Sequence, residues 1–239
     1  MTKTKKYLFK IINPVISLAR VVFNNSIPNS LINPSAIDLL YSRAQERYAK
    51  YIEAQDNAVM IFPKRYDLWD YVLKQKMISG IFAEFGVASG RSINYFSKFL
   101  PRNEKIYGFD SFEGLQEDFI GTFYSKGAFS QNNKMPKVNS NVVLVKGWFS
   151  ETLPNFLKKD SRNFAFIHAD ADTYESTFEF LSLVVGKITS GTIIIFDEYA
   201  GYPFWESNEF RAWKEIVLKN QIKYEYIAFG PLCAALKVV

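Results

Sequence analysis

The sequence predicts a doubly wound α/β fold, a Rossmann-like sheet that is mostly parallel and ends in an antiparallel hairpin, preceded by an N-terminal helical extension. Three observations predict it. Short apolar, β-prone runs alternate with helix-period segments from residue 66 onward. One run, Ile81-Phe82-Ala83, passes through Gly86 and Gly90 directly into an amphipathic stretch over 92–100. The last two apolar runs, 223–229 and 233–238, are separated only by a turn around Gly230-Pro231, too short for a crossover and right for a hairpin.

Composition agrees with one well-filled domain. The chain has 239 residues, 48% hydrophobic and 17% aromatic, enough for a full core. Its single cysteine, Cys233, has no partner for an intrachain disulfide, sits in an apolar stretch and suits a reducing, cytoplasmic compartment. The net charge of +5 is local: residues 1–25 carry Lys3, Lys5, Lys6, Lys10 and Arg20 with no acid, and the remainder balances at 24 basic against 24 acidic residues. A balanced body excludes a nucleic-acid-binding surface.

In chain order, the segment 7–23 is apolar but interrupted by Lys10 and Arg20, too short to span a bilayer and without a cleavage site. It predicts a basic amphipathic helix that packs on its own domain or on a second copy in a homodimer, or makes peripheral membrane contact. Residues 24–36, rich in Asn, Pro and Ser, read as a linker. Helices are expected over 36–55 and 66–77. The domain boundary is placed at residue 65, with the extension, or lid, over 1–65 and the sheet domain over 66–239.

Residues 80–110 carry the first functional signal. A strand that ends in Glu84 and turns through Gly86 and Gly90 into a helix brings bare backbone and helix-start N–H groups to a ligand. The next strand, 105–109, ends in Asp110, where a doubly wound sheet places an acid on ribose hydroxyls. The three glycines of a dinucleotide fingerprint are absent, which argues against NAD or FAD. An acid, one residue, Gly, three residues and Gly is the shape of an S-adenosylmethionine loop, with Glu84 expected to help hold the methionine half of the cofactor.

The stretch 116–140 is irregular, with Gly121, Gly127, Asn132, Asn133 and Pro136 among Phe119, Phe123, Tyr124 and Phe129. A long loop of this kind predicts a lid or binding loop, and aromatic rings among polar groups suit a sugar or another oxygenated ring. The strand 141–147 ends at Gly147, followed by Trp148 and Phe149 where an adenine would lie; Ser150 is expected to cap a short helix over 152–159. Strand 164–170 ends in Asp170. Its His168 shares parity with Phe164 and Phe166 and is expected to be a buried, hydrogen-bonded side chain rather than a base. Asp172 and Glu175 have the spacing of a capping pair, which assigns Asp172 a structural role. Strand 191–197 ends in Asp197 and Glu198. Three carboxylates at neighbouring strand ends repel one another unless a cation lies between them, and an oxygen-only set suits Mg²⁺.

Five blocks in this order resemble the macrocin O-methyltransferase (TylF-like) family: Glu84-Phe85-Gly86-Val87…Gly90, Gly108-Phe109-Asp110-Ser111-Phe112-Glu113-Gly114-Leu115, Gly147-Trp148-Phe149, Asp170-Ala171-Asp172-Thr173-Tyr174-Glu175-Ser176-Thr177 and Asp197-Glu198-Tyr199. The resemblance spans residues 80–205. It implies a class I methyltransferase fold and an S-adenosylmethionine-dependent, Mg²⁺-requiring enzyme that methylates a hydroxyl of a sugar or glycosylated natural product. It implies a metal on Asp170, Asp197 and Glu198, with Glu198 as ligand or base. Candidate cofactor contacts are Glu84, Gly86, Gly90, Ser92, Asp110, Ser111, Gly147, Trp148 and Asp170. This chain departs from the family in having Glu198 where Asp is usual and Gln116 where Pro is usual. A cofactor-binding scaffold or sensor without turnover, and a metal-independent methyltransferase, are the competing expectations.

Overall fold

The computed structural model describes residues 34–55, 58–101 and 103–239. The basic segment 1–25 and most of the linker therefore lie outside the described residues. The chain divides after Arg43 into two units, of which the first is described over residues 34–43 and the second, Ala44–Val239, is compact. Within the first, Ser35 and Asp38 cap helix α1 (Ala36–Glu53) reciprocally: the Ser35 N–H donates to Asp38 Oδ2 at 2.8 Å, and the Asp38 N–H to Ser35 Oγ at 3.2 Å.

The second unit is an eight-stranded sheet with helices on both faces. In chain order its elements are β1 (Met60–Ile61), α2 (Arg65–Leu73), β2 (Ile81–Phe85), α3 (Arg91–Phe96), β3 (Ile106–Asp110), β4 (Val142–Lys146), α4 (Phe149–Lys159), β5 (Phe164–Ala169), α5 (Tyr174–Val184), β6 (Ile193–Phe196), α6 (Glu209–Asn220), β7 (Tyr224–Phe229) and β8 (Ala234–Val238). The strand order is β1-β7-β8-β6-β5-β2-β3-β4. All pairs are parallel except β6–β8 and β7–β8, the latter being the expected closing hairpin, although the sheet edge beyond it is β1, parallel to β7. Ala44 and Tyr48 are core residues and β1 pairs with β7, so the sheet unit reaches further toward the N-terminus than the boundary expected at residue 65.

The central strands read as uninterrupted apolar runs because both of their faces are covered; β5 and β6 are buried at every position. On one face Phe85, Phe109, Phe149, Phe180, Phe196 and Trp213 pack together, with Phe85 stacked on Phe180 at 4.3 Å between ring centroids. On the other, Trp69, Phe96, Phe166 and Ile195 form a second core. The strand order reverses between β5 and β2, and the crevice beyond their carboxyl ends is where an open α/β sheet binds ligands.

Helix α4 begins one turn earlier than the sequence predicts. Trp148 rather than Ser150 is its cap residue, and the Trp148 N–H donates to Glu151 Oε2 at 3.3 Å. Helix α5 is capped at Thr173, so the expected Asp172–Glu175 pair is not a cap.

Candidate active site

A cavity of about 480 Å³ opens at this crevice, a size suited to a nucleoside-like ligand. It is lined by the turn after β2 (Gly86–Ser89 with Arg91 and Ser92), by Asp110 and Ser111 after β3, and by Gly147, Trp148 and Phe149 after β4. Asp170, Asp172, Asp197 and Glu198, together with Arg65, complete it. Leu115, and Gln116 and Phe129 of the long loop, also reach the lining.

The glycine turn is shaped by close approach. Gly86 has φ of +91°, and a Cβ there would lie 1.8 Å from the carbonyl oxygen of Asp170. Ala88 also has positive φ, +43°, a strained conformation for a residue with a side chain. Asp110 holds it: Oδ2 accepts the N–H groups of Val87 and Ala88 at 2.7 Å each, and Oδ1 accepts that of Phe112 at 2.6 Å. Asp110 therefore organises the loop as well as facing the cavity. Gly90 caps α3 with φ of +78° and backs onto Pro136; it is not among the lining residues.

Glu84 is also not where the sequence reading placed it. It is fully buried, lies opposite His168 in the β2–β5 register and does not line the cavity. Strand alternation turns it onto the Trp69–Phe96 face, where Ser92 Oγ donates to its Oε1 at 3.1 Å and His168 Nδ1 lies 3.1 Å from its Oε2.

The acids at the ends of β5 and β6 converge, but in two groups that share Asp170: His168, Asp170 and Asp197 in one, Asp170, Asp172 and Glu198 in the other, each with ligand atoms within 4.8 Å. Asp172, expected to be a cap, has φ of +62° and belongs to the cluster. Burial, reinforced by the neighbouring carboxylates, holds Asp170 and Asp172 well above the usual carboxylate range. The same desolvation raises Asp197 and Glu198, against the pull of Arg65.

Two supporting residues have no counterpart in the sequence reading. Arg65, the first residue of α2, pairs with Asp197 at 2.5 Å and with Glu198 at 3.1 Å. Glu209, fully buried at the start of α6, accepts the N–H of Ala171 on Oε1 and that of Glu198 on Oε2, both at 3.3 Å. Neither belongs to the glycine-turn or strand-end motifs, and the only sequence signal is a charged residue at a helix start.

The cavity fits both groups that the motifs imply. The close-approach turn, Asp110 and Trp148 present backbone, a carboxylate and an aromatic ring, the chemistry that holds a nucleoside and an amino-acid moiety. For a hard dication, Asp170, Asp172 and Glu198 supply converging oxygens, and Glu198 Oε2 is buried with no hydrogen-bond partner among the described residues.

Residues 83–199 match the family model described as a methyltransferase domain. That stretch, 117 of the chain's 239 residues, is similar to a methyltransferase domain. The resemblance read from the motifs is thereby borne out, and the observed sheet is that of the class I methyltransferases. A curated relative from Streptomyces olivaceus, 8-demethyl-8-(2,3-dimethoxy-alpha-L-rhamnosyl)-tetracenomycin-C 4'-O-methyltransferase, is 26% identical over 165 residues, which is 59% of this chain. The aligned stretch spans 62% of that relative, less than two thirds of its length. Among solved structures, the calicheamicin methyltransferase CalS11 is similar in fold, with a TM-score of 0.56 at 24% identity over 92% of this chain and 90% of that one. A second CalS11 structure, titled as an apo TDP-rhamnose 3'-O-methyltransferase, gives 0.51 at 23% identity over 85% and 95%.

Proposed function

We propose that this protein is an S-adenosylmethionine-dependent O-methyltransferase that acts on a hydroxyl of a sugar, in a glycosylated natural product or a polysaccharide. The observation that carries the reading is that one cavity is lined both by the nucleoside-type residues (Gly86, Asp110, Trp148) and by the acid cluster (Asp170, Asp172, Asp197, Glu198). S-adenosylmethionine supplies an electrophilic methyl group, and Mg²⁺, if bound, supplies a Lewis acid for the acceptor hydroxyl. Asp110, with Ser92 and Ser111, would hold the cofactor, and Trp148 would cover its base. Asp170, Asp172 and Glu198, whose oxygens converge, would hold Mg²⁺, with Asp197 beside them.

A sugar hydroxyl is a poor nucleophile until its proton is drawn away, so one buried carboxylate must accept it. Glu198 and Asp172 both face the cavity with raised affinity for a proton, which suits that role. The remaining requirement is to hold donor and acceptor in line and exclude water, and Phe129 and Gln116 of the 116–140 loop are placed to contribute.

Residues 1–25 are read as a cover for the acceptor, and peripheral membrane contact or homodimer formation through them are the competing roles. A cytoplasmic location fits the single buried Cys233, and no helix among the described residues is long and apolar enough to cross a membrane.

The test is calorimetric titration of S-adenosylmethionine, with Mg²⁺ and with EDTA, followed by a screen of nucleotide-linked and free sugars for formation of S-adenosylhomocysteine and methyl ether. Failure to bind the cofactor overturns the reading; turnover unaffected by EDTA removes the metal from it.

A further inference from the structure

His168 is the chain's only histidine, and it is fully buried. Its ring is wedged between Trp69 and Phe96, with centroids 5.4 and 4.7 Å away. Glu84 Oε1 accepts the Ser92 hydroxyl, and Oε2 lies 3.1 Å from His168 Nδ1. With Nδ1 so engaged, Nε2 is the ring nitrogen left for another partner. Nε2 has no hydrogen-bond partner among the described residues, and neither has Asp197 Oδ1, which it faces at 3.6 Å. The other oxygen of Asp197 is taken by Arg65. Two buried polar atoms without partners among the described residues thus face each other at a distance too long for a hydrogen bond and short enough for one ion to touch both. Asp170, on the cavity wall, places a third donor atom within 4.8 Å of both.

We propose that His168 Nε2, Asp197 Oδ1 and one oxygen of Asp170 form a mixed nitrogen–oxygen site for a transition-metal dication, beside the oxygen-only group of Asp170, Asp172 and Glu198. Glu84 stands behind the imidazole as the carboxylate that fixes ring and tautomer, the arrangement usual for metal-bound histidine. This gives the buried acid a role that the cofactor cavity does not. An imidazole donor favours transition metals over Mg²⁺, so the site would select Mn²⁺ or Co²⁺ where the carboxylates alone would not. The inference goes beyond methyl transfer and does not require turnover to be tested.

The lone histidine makes the test direct. Mn²⁺ is added to the tag-free, EDTA-stripped full chain, and pulsed electron paramagnetic resonance is recorded with natural-abundance and with ¹⁵N-histidine-labelled protein. The expected result is coupling to one histidine nitrogen that changes on labelling and persists in a large excess of Mg²⁺. His168→Gln is expected to abolish the coupling and weaken Mn²⁺ binding by about tenfold or more. If that variant fails to fold, the labelling experiment on the native chain decides alone. Mn²⁺ bound without nitrogen coupling, or displaced by Mg²⁺, overturns the proposal, as does no Mn²⁺ binding at all. S-adenosylmethionine titrated into the same samples separates this failure from failure of the methyltransferase reading, because cofactor binding that survives leaves that reading standing.

Discussion

Arg65 and Asp197 are joined by an ion pair of 2.5 Å, and the same guanidinium reaches Glu198 at 3.1 Å. Each acid is thus held by one oxygen while the other stays free: Asp197 Oδ1 and Glu198 Oε2 have no hydrogen-bond partner among the described residues. A planar fork offers two nitrogens in fixed positions, one for each carboxylate, where an ammonium offers a single point charge. Arg65→Ala is expected to destabilise the protein by about 2 kcal/mol. That is below the ~3–5 kcal/mol of a fully buried pair, because the arginine side chain is 36% exposed. Arg65→Lys is expected to keep most of the stability and lose at least tenfold in divalent-cation affinity, read by denaturant melts and calorimetry. A Lys variant with native cation affinity would show that charge alone, not the fork, arranges the acids.

Glu209 ties together the two chain segments that carry the acid cluster, because its carboxylate accepts one N–H from each. A Gln at this position offers one acceptor and one donor, so one of the two N–H groups would meet an NH₂. Glu209→Gln and Glu209→Ala are both expected to lose about 1–3 kcal/mol of stability for each N–H left unpaired in the interior, with Ala the worse of the two. Among molecules still folded, methyl transfer should fall through kcat more than through the KM for cofactor, since the tether positions Glu198 and Ala171 rather than the nucleoside-type residues. Equal losses in both constants would argue for general loosening instead.

These two residues also mark the limit of what the sequence shows. The strand–turn–helix around Gly86, the acid at Asp110 and the strand ends at Asp170 and Asp197 were legible because apolar runs and glycines report local geometry directly. Arg65 was not, because its partners lie more than 130 residues away and a charged residue before an aromatic helix has no periodic signature. Asp172 was misread for a related reason. An acid three residues before Glu175 matches a capping pattern, but the helix is capped at Thr173, and Asp172, at φ of +62°, lines the cavity instead. Glu84 was placed on the ligand side because it ends a strand; pleat parity and its pairing with His168 send it into the core.

Gly86 has a sharply bounded tolerance. Alanine there would need φ near +91° and would place its Cβ 1.8 Å from the Asp170 carbonyl oxygen, which is backbone and cannot swing aside. Gly86→Ala is expected to cost about 2–3 kcal/mol or more through strain and displacement of the β5 end. Cofactor binding should fall below detection in the same calorimetric titration. A variant that binds the cofactor normally would mean that the cavity does not use this approach.

Asp110 and Trp148 both line the cavity, yet their substitutions should separate cleanly. Asp110 accepts three backbone N–H groups, two of them from the turn that contains the positive-φ Ala88. Asp110→Asn turns an NH₂ toward at least one of these donors, so stability and cofactor affinity should fall together, with about 1–3 kcal/mol lost per unpaired N–H. Trp148 anchors no core cluster; its indole is half-buried on the cavity wall, and only its backbone serves the start of α4. Trp148→Ala should therefore leave the melting midpoint nearly unchanged and weaken cofactor binding by about tenfold, the worth of one aromatic face against a base, ~1–1.5 kcal/mol. Thermal melts and cofactor titrations of the two variants side by side check both. If Trp148→Ala binds the cofactor as well as the native chain, the base lies elsewhere in the cavity, and the assignment of the β4 end to the nucleoside fails even though Asp110 behaves as expected.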